Sequence, residues 1–385
     1  MLMSENTGFS AAYIAFDPYP SFKGSATHIT EVWQTIKDVF GNCQLMTLSG
    51  TSPVYSDQWQ PTELQGNYLT RGMNFSNQVK ERILSMNSLE FVQFRDIWGG
   101  LAVSQNNKIY QVYEANGFPS IELKERYAIL PKTTIQKIEM LENICLKNAD
   151  EIICPSNVIA NHIIKRGISG NKIHVIPNGT HIPADLEPVS NLPEKYLVYF
   201  GALQPWQGVN TAVKALKYLD DLKDLKLIIC SSHREKLSRQ LKKLISNVDL
   251  EDRIFWFYQL KKSQLHFIIQ NALISLAPLS ECERNLEQGC SPLKIYESMA
   301  CNTAIIASDI PVTREILTDN ESAILVKPDR PGELARNIRM LIEQPDKRKR
   351  LAETAFEKVL NDCNWDVSNQ RLSAIYQKQL KAEVF

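Results

Sequence analysis

The feature that most constrains this chain is an alternation. Short apolar runs follow one another along its length, separated by amphipathic stretches long enough for a helix. Residues 11–16 (Ala-Ala-Tyr-Ile-Ala-Phe) read as a buried strand, after which Ile29, Val32, Trp33, Ile36, Val39 and Phe40 recur at the spacing of one helix face. Further strand-like runs lie at 43–48, 91–94, 108–113, 151–154 and 172–176, then at 196–200, 225–230, 253–257, 272–276, 303–307 and 322–326. A helical pattern over 135–146 carries Ile138, Leu141 and either Ile144 or Cys145, and another carries Val209, Ala212, Val213, Leu216 and Leu219. Strands joined through helices of this length require crossovers, and right-handed crossovers give doubly wound parallel sheets.

Pro177, Pro183, Pro188 and Pro193 fall close together, with the turn signal Asn178-Gly179. They divide the 385 residues into a Rossmann-like domain over 1–180, a linker over 181–194 and a second Rossmann-like domain over 195–364. Two such domains make a cleft, and ligands bind beyond the carboxyl ends of the strands. Lys plus Arg (43) balances Asp plus Glu (43), which argues against a nucleic-acid partner. No apolar run is long enough to span a membrane, and residues 1–10 lack a basic stretch before an apolar one, so a cytoplasmic protein is expected. The eight cysteines are scattered singly, with no histidine at ligand spacing; they read as reduced, packed thiols, and no metal site is expected.

Three loops could carry chemistry. In residues 17–25, Gly24 allows close approach of backbone to a ligand, and amides near Ser25 can hold an anion. Residues 201–208 set Trp206 between two glycines, Gly201 and Gly208. Residues 284–297 are the most informative. Ser291 is a good N-cap and Pro292 fits the first helical position, with Leu293, Tyr296, Met299 and Ala300 as the buried face. Lys294 then brings a full positive charge to a first turn that normally prefers acid, which points to an anion such as a diphosphate. Glu297 can accept hydrogen bonds from two hydroxyls, as from a ribose. Asn302 closes this helix, and Asp309 either caps the next one or reaches the cleft. In the first domain, residues 95–100 and 114–118 mix charge, aromatic and glycine, which suits an acceptor surface; His28 is expected to pack on the first helix.

The combination Val175-Ile176-Pro177-Asn178-Gly179, Cys154-Pro155-Ser156, the loop 201–208, and Pro292 to Ala300 followed by Ala307-Ser308-Asp309 and Arg314-Glu315 resembles glycosyltransferase family 4, of GT-B fold, over roughly residues 11–375. The resemblance implies a retaining transferase that moves a sugar from a nucleoside-diphosphate sugar to a glycan or lipid-linked acceptor, without cofactor or metal. A lipid acceptor would add peripheral contact with the inner face of a membrane. It also implies that the final helix, 365–385, packs back on the first domain. Glu297 would hold the ribose. Gly24, Gly201, Trp206, Gln207, Gly289, Cys290, Ser291 and Leu293 would surround the nucleotide sugar. Arg284, Lys294 and Asn116 would serve the transfer, and Lys23, Arg95 and Glu114 would face the acceptor. The donor's own phosphate would take the acceptor's proton.

The chain departs from the family pattern at four positions. The first of the family's paired glutamates is Gly289, its loop Arg is Ala202, its loop Lys is Gln207, and a His of the acceptor loop is Asn116. Arg284 and Lys294 are the expected replacements for the missing cations. The thinning leaves a second reading, a non-catalytic scaffold or sensor that binds a nucleotide sugar.

Overall fold

A computed structural model of the chain describes residues 10–51, 59–104, 106, 108–127 and 129–382. Every apolar run named above becomes a strand, within three residues at either end. β1 (Ala11–Tyr19), β2 (Cys43–Ser49), β3 (Phe91–Phe94), β4 (Tyr110–Glu114), β5 (Glu151–Cys154) and β6 (Ile173–Val175) form one parallel sheet in the order β2-β1-β3-β4-β5-β6. β7 (Lys195–Gly201), β8 (Leu225–Ser231), β9 (Ile254–Tyr258), β10 (Ile274–Ala277), β11 (Ile305–Ser308) and β12 (Ile324–Val326) form a second, in the order β12-β11-β10-β7-β8-β9. In each sheet the order reverses beside the first strand, and that reversal opens a crevice at the carboxyl end of the sheet.

Two apolar layers enclose each sheet, because strands buried on both faces carry side chains to both. On the first sheet Ile14, Val92 and Tyr113 face one layer, while Tyr13, Phe91 and Val112 face the other. On the second, Leu197, Tyr199 and Leu227 face one and Tyr196, Val198 and Ile228 the other. The helix expected over 135–146 spans Lys132–Asn148. All eight cysteines are free, and all but Cys282 are buried. No helix among the described residues is long and apolar enough to cross a membrane.

The chain passes twice between the sheets. The first crossing follows β6; the second follows the helix Pro345–Asn361 and leads into the helix Trp365–Ala382, which lies along the helix Gly24–Phe40 of the first sheet. There Tyr376 packs edge-on against Phe91 and donates its hydroxyl proton to Gln93 Oε1 at 2.6 Å. The two crossings run side by side: the Thr180 amide donates to the Cys363 carbonyl (3.1 Å), and the Trp365 amide to the Thr180 carbonyl (3.4 Å).

Candidate active site between the two sheets

The loops after β1, β7, β8 and β9 converge on a cavity of about 340 Å³ between the sheets. Lys23 and Gly24 line it from the first half; Gly201, Ser232, Leu260 and Glu297 line it from the second. Its charged lining residues are Lys23, Lys261, Lys262 and Glu297, so the balance is positive even though Lys261 also stands 3.3 Å from Glu187. A wider surface groove of about 590 Å³, beside Tyr218 and Arg336, touches none of the loops singled out from the sequence.

The helix Leu293–Ala300 starts one residue later than expected, with Leu293 against Gly24 of the cavity wall, and lines the cavity itself through Glu297 rather than through Leu293 or Lys294. Pro292 occupies the N-cap with no capping side chain, and Ser291 instead shares a hydrogen bond with the Tyr296 hydroxyl (3.1 Å). Extended backbone at Pro292 (ψ 104°) turns Ser291 away from the helix axis, so no side chain caps the first-turn amides. An anion in the cavity could take that place.

Lys294 is 8 % exposed, and its Nζ has no hydrogen-bond partner among the described residues. It stands 4.1 Å from the centre of the Tyr199 ring, a cation–π contact. A Cβ at Gly201 would be 3.9 Å from this Nζ, an ordinary contact, so the glycine answers to its backbone, φ 116°, rather than to the ammonium. Burial pulls Lys294 down to about 7, against Cys290 and Glu297, which favour the charge; Arg284 opposes it. Burial therefore works against the full positive charge expected in this first turn, and an anion beside it would restore that charge. Burial also pushes Glu297 up to about 7, against the pull of Lys262 and Lys294. One cation and one carboxyl, a turn apart, are each held away from their ordinary charge state.

Arg284 lies behind this layer rather than in the cavity lining. It opens a π-helical turn, Arg284–Gln288, and its guanidinium lies 5.4 Å from the centre of the Trp206 ring. Its Nε is 3.6 Å from Glu122 of the first half, in the helix Pro119–Arg126. Arg126 of that same helix stands 5.3 Å from the Trp206 ring. Trp206 is thus buried where the halves meet. Cys290 is buried between Arg284 and Lys294, its thiol pushed up by burial. The Gln207 Oε1 is buried without a hydrogen-bond partner among the described residues. Leu293 reaches across to Gly24, where a Cβ would lie 2.6 Å from its Cδ1.

The first-half residues are placed differently from the expectation. Glu114 is 2 % exposed and accepts from the Tyr13 hydroxyl (2.7 Å), the Gln93 amide (2.9 Å) and the Asn116 amide. Burial alone would raise its carboxyl, but His28 and Arg95 hold it well below the usual carboxylate range. Arg95 is itself enclosed, 3.5 Å from Glu114 and 3.4 Å from Asp17. Neither side chain is an open acceptor surface: β4 runs one residue past the expected end and turns Glu114 inward, and Arg95, after β3, closes onto that carboxylate and Asp17. His28 packs under the first helix as expected, with a role the sequence did not signal: its Nδ1 meets Asn178 Oδ1 at 2.8 Å, and the Asn178 amide donates to the Ser291 carbonyl at 2.9 Å. Asn178 was legible as part of a turn and of the motif over 175–179, but not as this bridge.

Of two further residues of the quoted motifs, Glu315 holds the halves together and Asp309 does not. Glu315 accepts from the amides of Asn157 (2.9 Å) and Val158 (3.0 Å), at the start of the helix Asn157–Lys165. Asp309 caps nothing and does not line the cavity; it pairs with Arg314 (2.5 and 2.8 Å). Gln259, with φ 50°, and Leu260 border the cavity in the loop after β9, where base contacts are expected from the sequence, and Lys262 borders it at the start of the helix Lys262–Gln270.

Comparison with known proteins matches residues 185–358 to the profile described as glycosyl transferases group 1, and residues 97–182 to that described as Glycosyltransferase Family 4. An uncharacterized glycosyltransferase of Methanocaldococcus jannaschii is 26 % identical over 287 residues, covering 71 % of this chain and 69 % of the relative. The O-antigen chain mannosyltransferase of Salmonella typhimurium is 25 % identical over 219 residues, covering 56 % of this chain and 58 % of its own. Among solved structures, Anabaena HepE in complex with UDP-glucose superposes with a TM-score of 0.76 at 15 % identity, over 95 % of this chain and 99 % of that one.

Proposed function

We propose that this chain, which belongs to the family 4 glycosyltransferases of GT-B fold, transfers a sugar from a nucleoside-diphosphate sugar to a glycan or lipid-linked glycan acceptor, with retention at the anomeric carbon. The observation that carries the reading is Lys294: a buried side chain whose Nζ has no hydrogen-bond partner among the described residues, in the first turn of an uncapped helix and just behind Gly201 of a cavity whose charge balance is positive. Such a group is costly to bury alone and becomes favourable when an anion arrives. The complex of Anabaena HepE with UDP-glucose and the mannosyltransferase named for O-antigen synthesis support donor and product classes of this kind.

In this reading Glu297 accepts hydrogen bonds from the ribose hydroxyls. Lys294 and the free amides of Leu293–Ala300 stabilise the diphosphate as it departs, an electrostatic task that grows with the charge on the leaving group. Lys23 and Lys262 add to the field, and together these groups supply what a divalent ion would otherwise supply. The departing phosphate takes the acceptor's proton on the face it leaves. Arg284 acts from behind, through Cys290 and Trp206, unless it leaves Glu122 to grip phosphate directly.

The test is a thermal-shift panel with UDP, GDP, ADP and dTDP, first without metal and then with Mg²⁺. A ligand at 100 times its Kd adds about 2.7 kcal/mol, which shows as a clear rise in Tm. One nucleotide should win without metal. No shift with any of the four would overturn the reading. A shift without turnover on any acceptor or water would favour a sensor over an enzyme.

A further inference from the structure

We infer that His28 carries a proton on both ring nitrogens and, as a buried cation, positions the start of the helix Leu293–Ala300 through Asn178. The argument is one of donors and acceptors. The Ser291 carbonyl can only accept, so the Asn178 group 2.9 Å from it is the amide nitrogen. That fixes the flip of Asn178 and turns its Oδ1 toward His28 Nδ1, at 2.8 Å. An amide oxygen can only accept, so Nδ1 carries a proton. On the other side of the ring, Nε2 lies 2.9 Å from Glu114 Oε1. This carboxylate already accepts from Tyr13, Gln93 and Asn116, each a donor. The contact falls short of hydrogen-bond geometry and is an ion pair; a bare Nε2 lone pair facing that carboxylate would repel it, so Nε2 carries a proton too. A neutral ring would set a bare nitrogen lone pair against an oxygen at one of the two contacts.

The surroundings suit a cation. Glu114 comes from β4, and Arg95, after β3, stands 3.5 Å from the same carboxylate, with Asp17 as its own second partner. The helix Trp365–Ala382 presents Trp365, whose ring meets His28 edge to face at 5.4 Å. The loop after β6 presents Asn178. Glu114 is the one carboxylate in direct contact with the ring among the described residues.

The chain of contacts runs from Tyr376 through Gln93, Glu114, His28 and Asn178 to Ser291, and its last link passes from the first half to the second. Ser291 immediately precedes the Pro292 that opens the helix, which has no capping side chain of its own. The Asn178–Ser291 bond ties that helix start to the first half, and His28 holds Asn178 in the orientation that makes the bond. His28 and Asn178 are positioning residues: they touch no substrate, and they set where the helix amides and Lys294 stand. This second step rests on the nucleotide-sugar reading; the protonation does not.

Two measurements test it. Histidine labelled with ¹⁵N gives ring-nitrogen shifts for the wild-type protein, with His28 assigned by its loss in His28→Gln or by its displacement in Asn178→Ala. Both His28 nitrogens are expected in the protonated range at neutral pH; the widely separated pair of a neutral tautomer would overturn the inference. UDP affinity is then compared in wild type, His28→Gln and Asn178→Ala. A loss of about tenfold, with cooperative unfolding retained, is expected for both. Unchanged affinity in folded Asn178→Ala overturns the positioning role, and that variant carries the test if His28→Gln fails to fold. If the wild-type protein binds none of UDP, GDP, ADP and dTDP, the nucleotide-sugar reading fails while the ring shifts still decide the state of His28.

Discussion

Gly289 lies so close to Val158 of the opposite half that a Cβ on it would stand 2.8 Å from the Val158 Cβ and 2.9 Å from the amide nitrogen of Ile159. Its backbone has φ 88° and ψ 172°, a region that is essentially glycine's alone. This is the position where the resemblance leads one to expect the first of two glutamates. No side chain fits there. The glycine is a packing requirement of the contact between the halves, and the positive charge of the cavity is arranged without its acidic counterpart.

Restoring the family's residue should therefore harm the protein. Gly289→Ala is expected to lower stability by about 2 kcal/mol, from backbone strain and the clash with Val158. Gly289→Glu should lower it further. Urea unfolding measures both, and a Gly289→Glu protein as stable as wild type would contradict the packing.

Lys294 gives a pH dependence with a definite sign. In the free protein burial holds it at about 7, and an anion restores its charge. Above that pH, binding of a diphosphate must take up a proton. The affinity for UDP should fall as pH rises from about 7, by up to about tenfold per unit. Lys294→Arg, always charged, should remove the slope. Lys294→Ala should lower turnover more than binding, if the charge acts chiefly on the departing diphosphate.

Glu297 has the opposite displacement. Its carboxyl is raised to about 7 in the folded chain, against about 4.3 when unfolded. Between those values the folded state holds a proton that the unfolded state has released. That contribution to stability is fully present below about 4.3 and is lost as pH rises through 7. Glu297→Gln should flatten the melting temperature over this window. The same variant should weaken nucleotide binding at least tenfold if the carboxylate holds the ribose; calorimetry with UDP measures this.

Glu315 places a carboxylate on the first amides of the helix Asn157–Lys165, and so joins the halves at a helix N-terminus. Glu315→Gln removes the charge and should cost about 1 kcal/mol. The loss should shrink in high salt, where such a contact is screened. A salt-independent loss would point to packing instead.

The strands were legible because burial on both faces leaves continuous apolar runs, as in Phe91–Phe94 and Ile305–Ser308. The helix Tyr68–Leu84 was not: its buried face includes Gly72 and Ser76 beside Phe75, Val79 and Ile83, too mixed for a clear apolar stripe. Lys294 was legible as a charge in the wrong part of a helix, but not as a buried one, since its burial depends on the Tyr199 ring of a strand far away in sequence. Glu114 shows the cost of one residue at a strand end. Placed in a loop it faces solvent; placed in β4 it faces the core. His28 and Asn178 stand 150 positions apart, a separation across which sequence pattern carries no signal.

The paired crossings near Thr180 and Cys363 have a mechanical consequence. Two segments that join the same two bodies at one place, and are hydrogen-bonded to each other, behave as one leaf of a door. They let the bodies swing about a single line and resist twisting and sliding. A protease cut within residues 181–194 would leave the halves attached through the other segment. Any opening of the cavity, once the contacts of Glu315, Asn178 and Gly289 give way, would then amount to one angle, read at the edge farthest from Thr180.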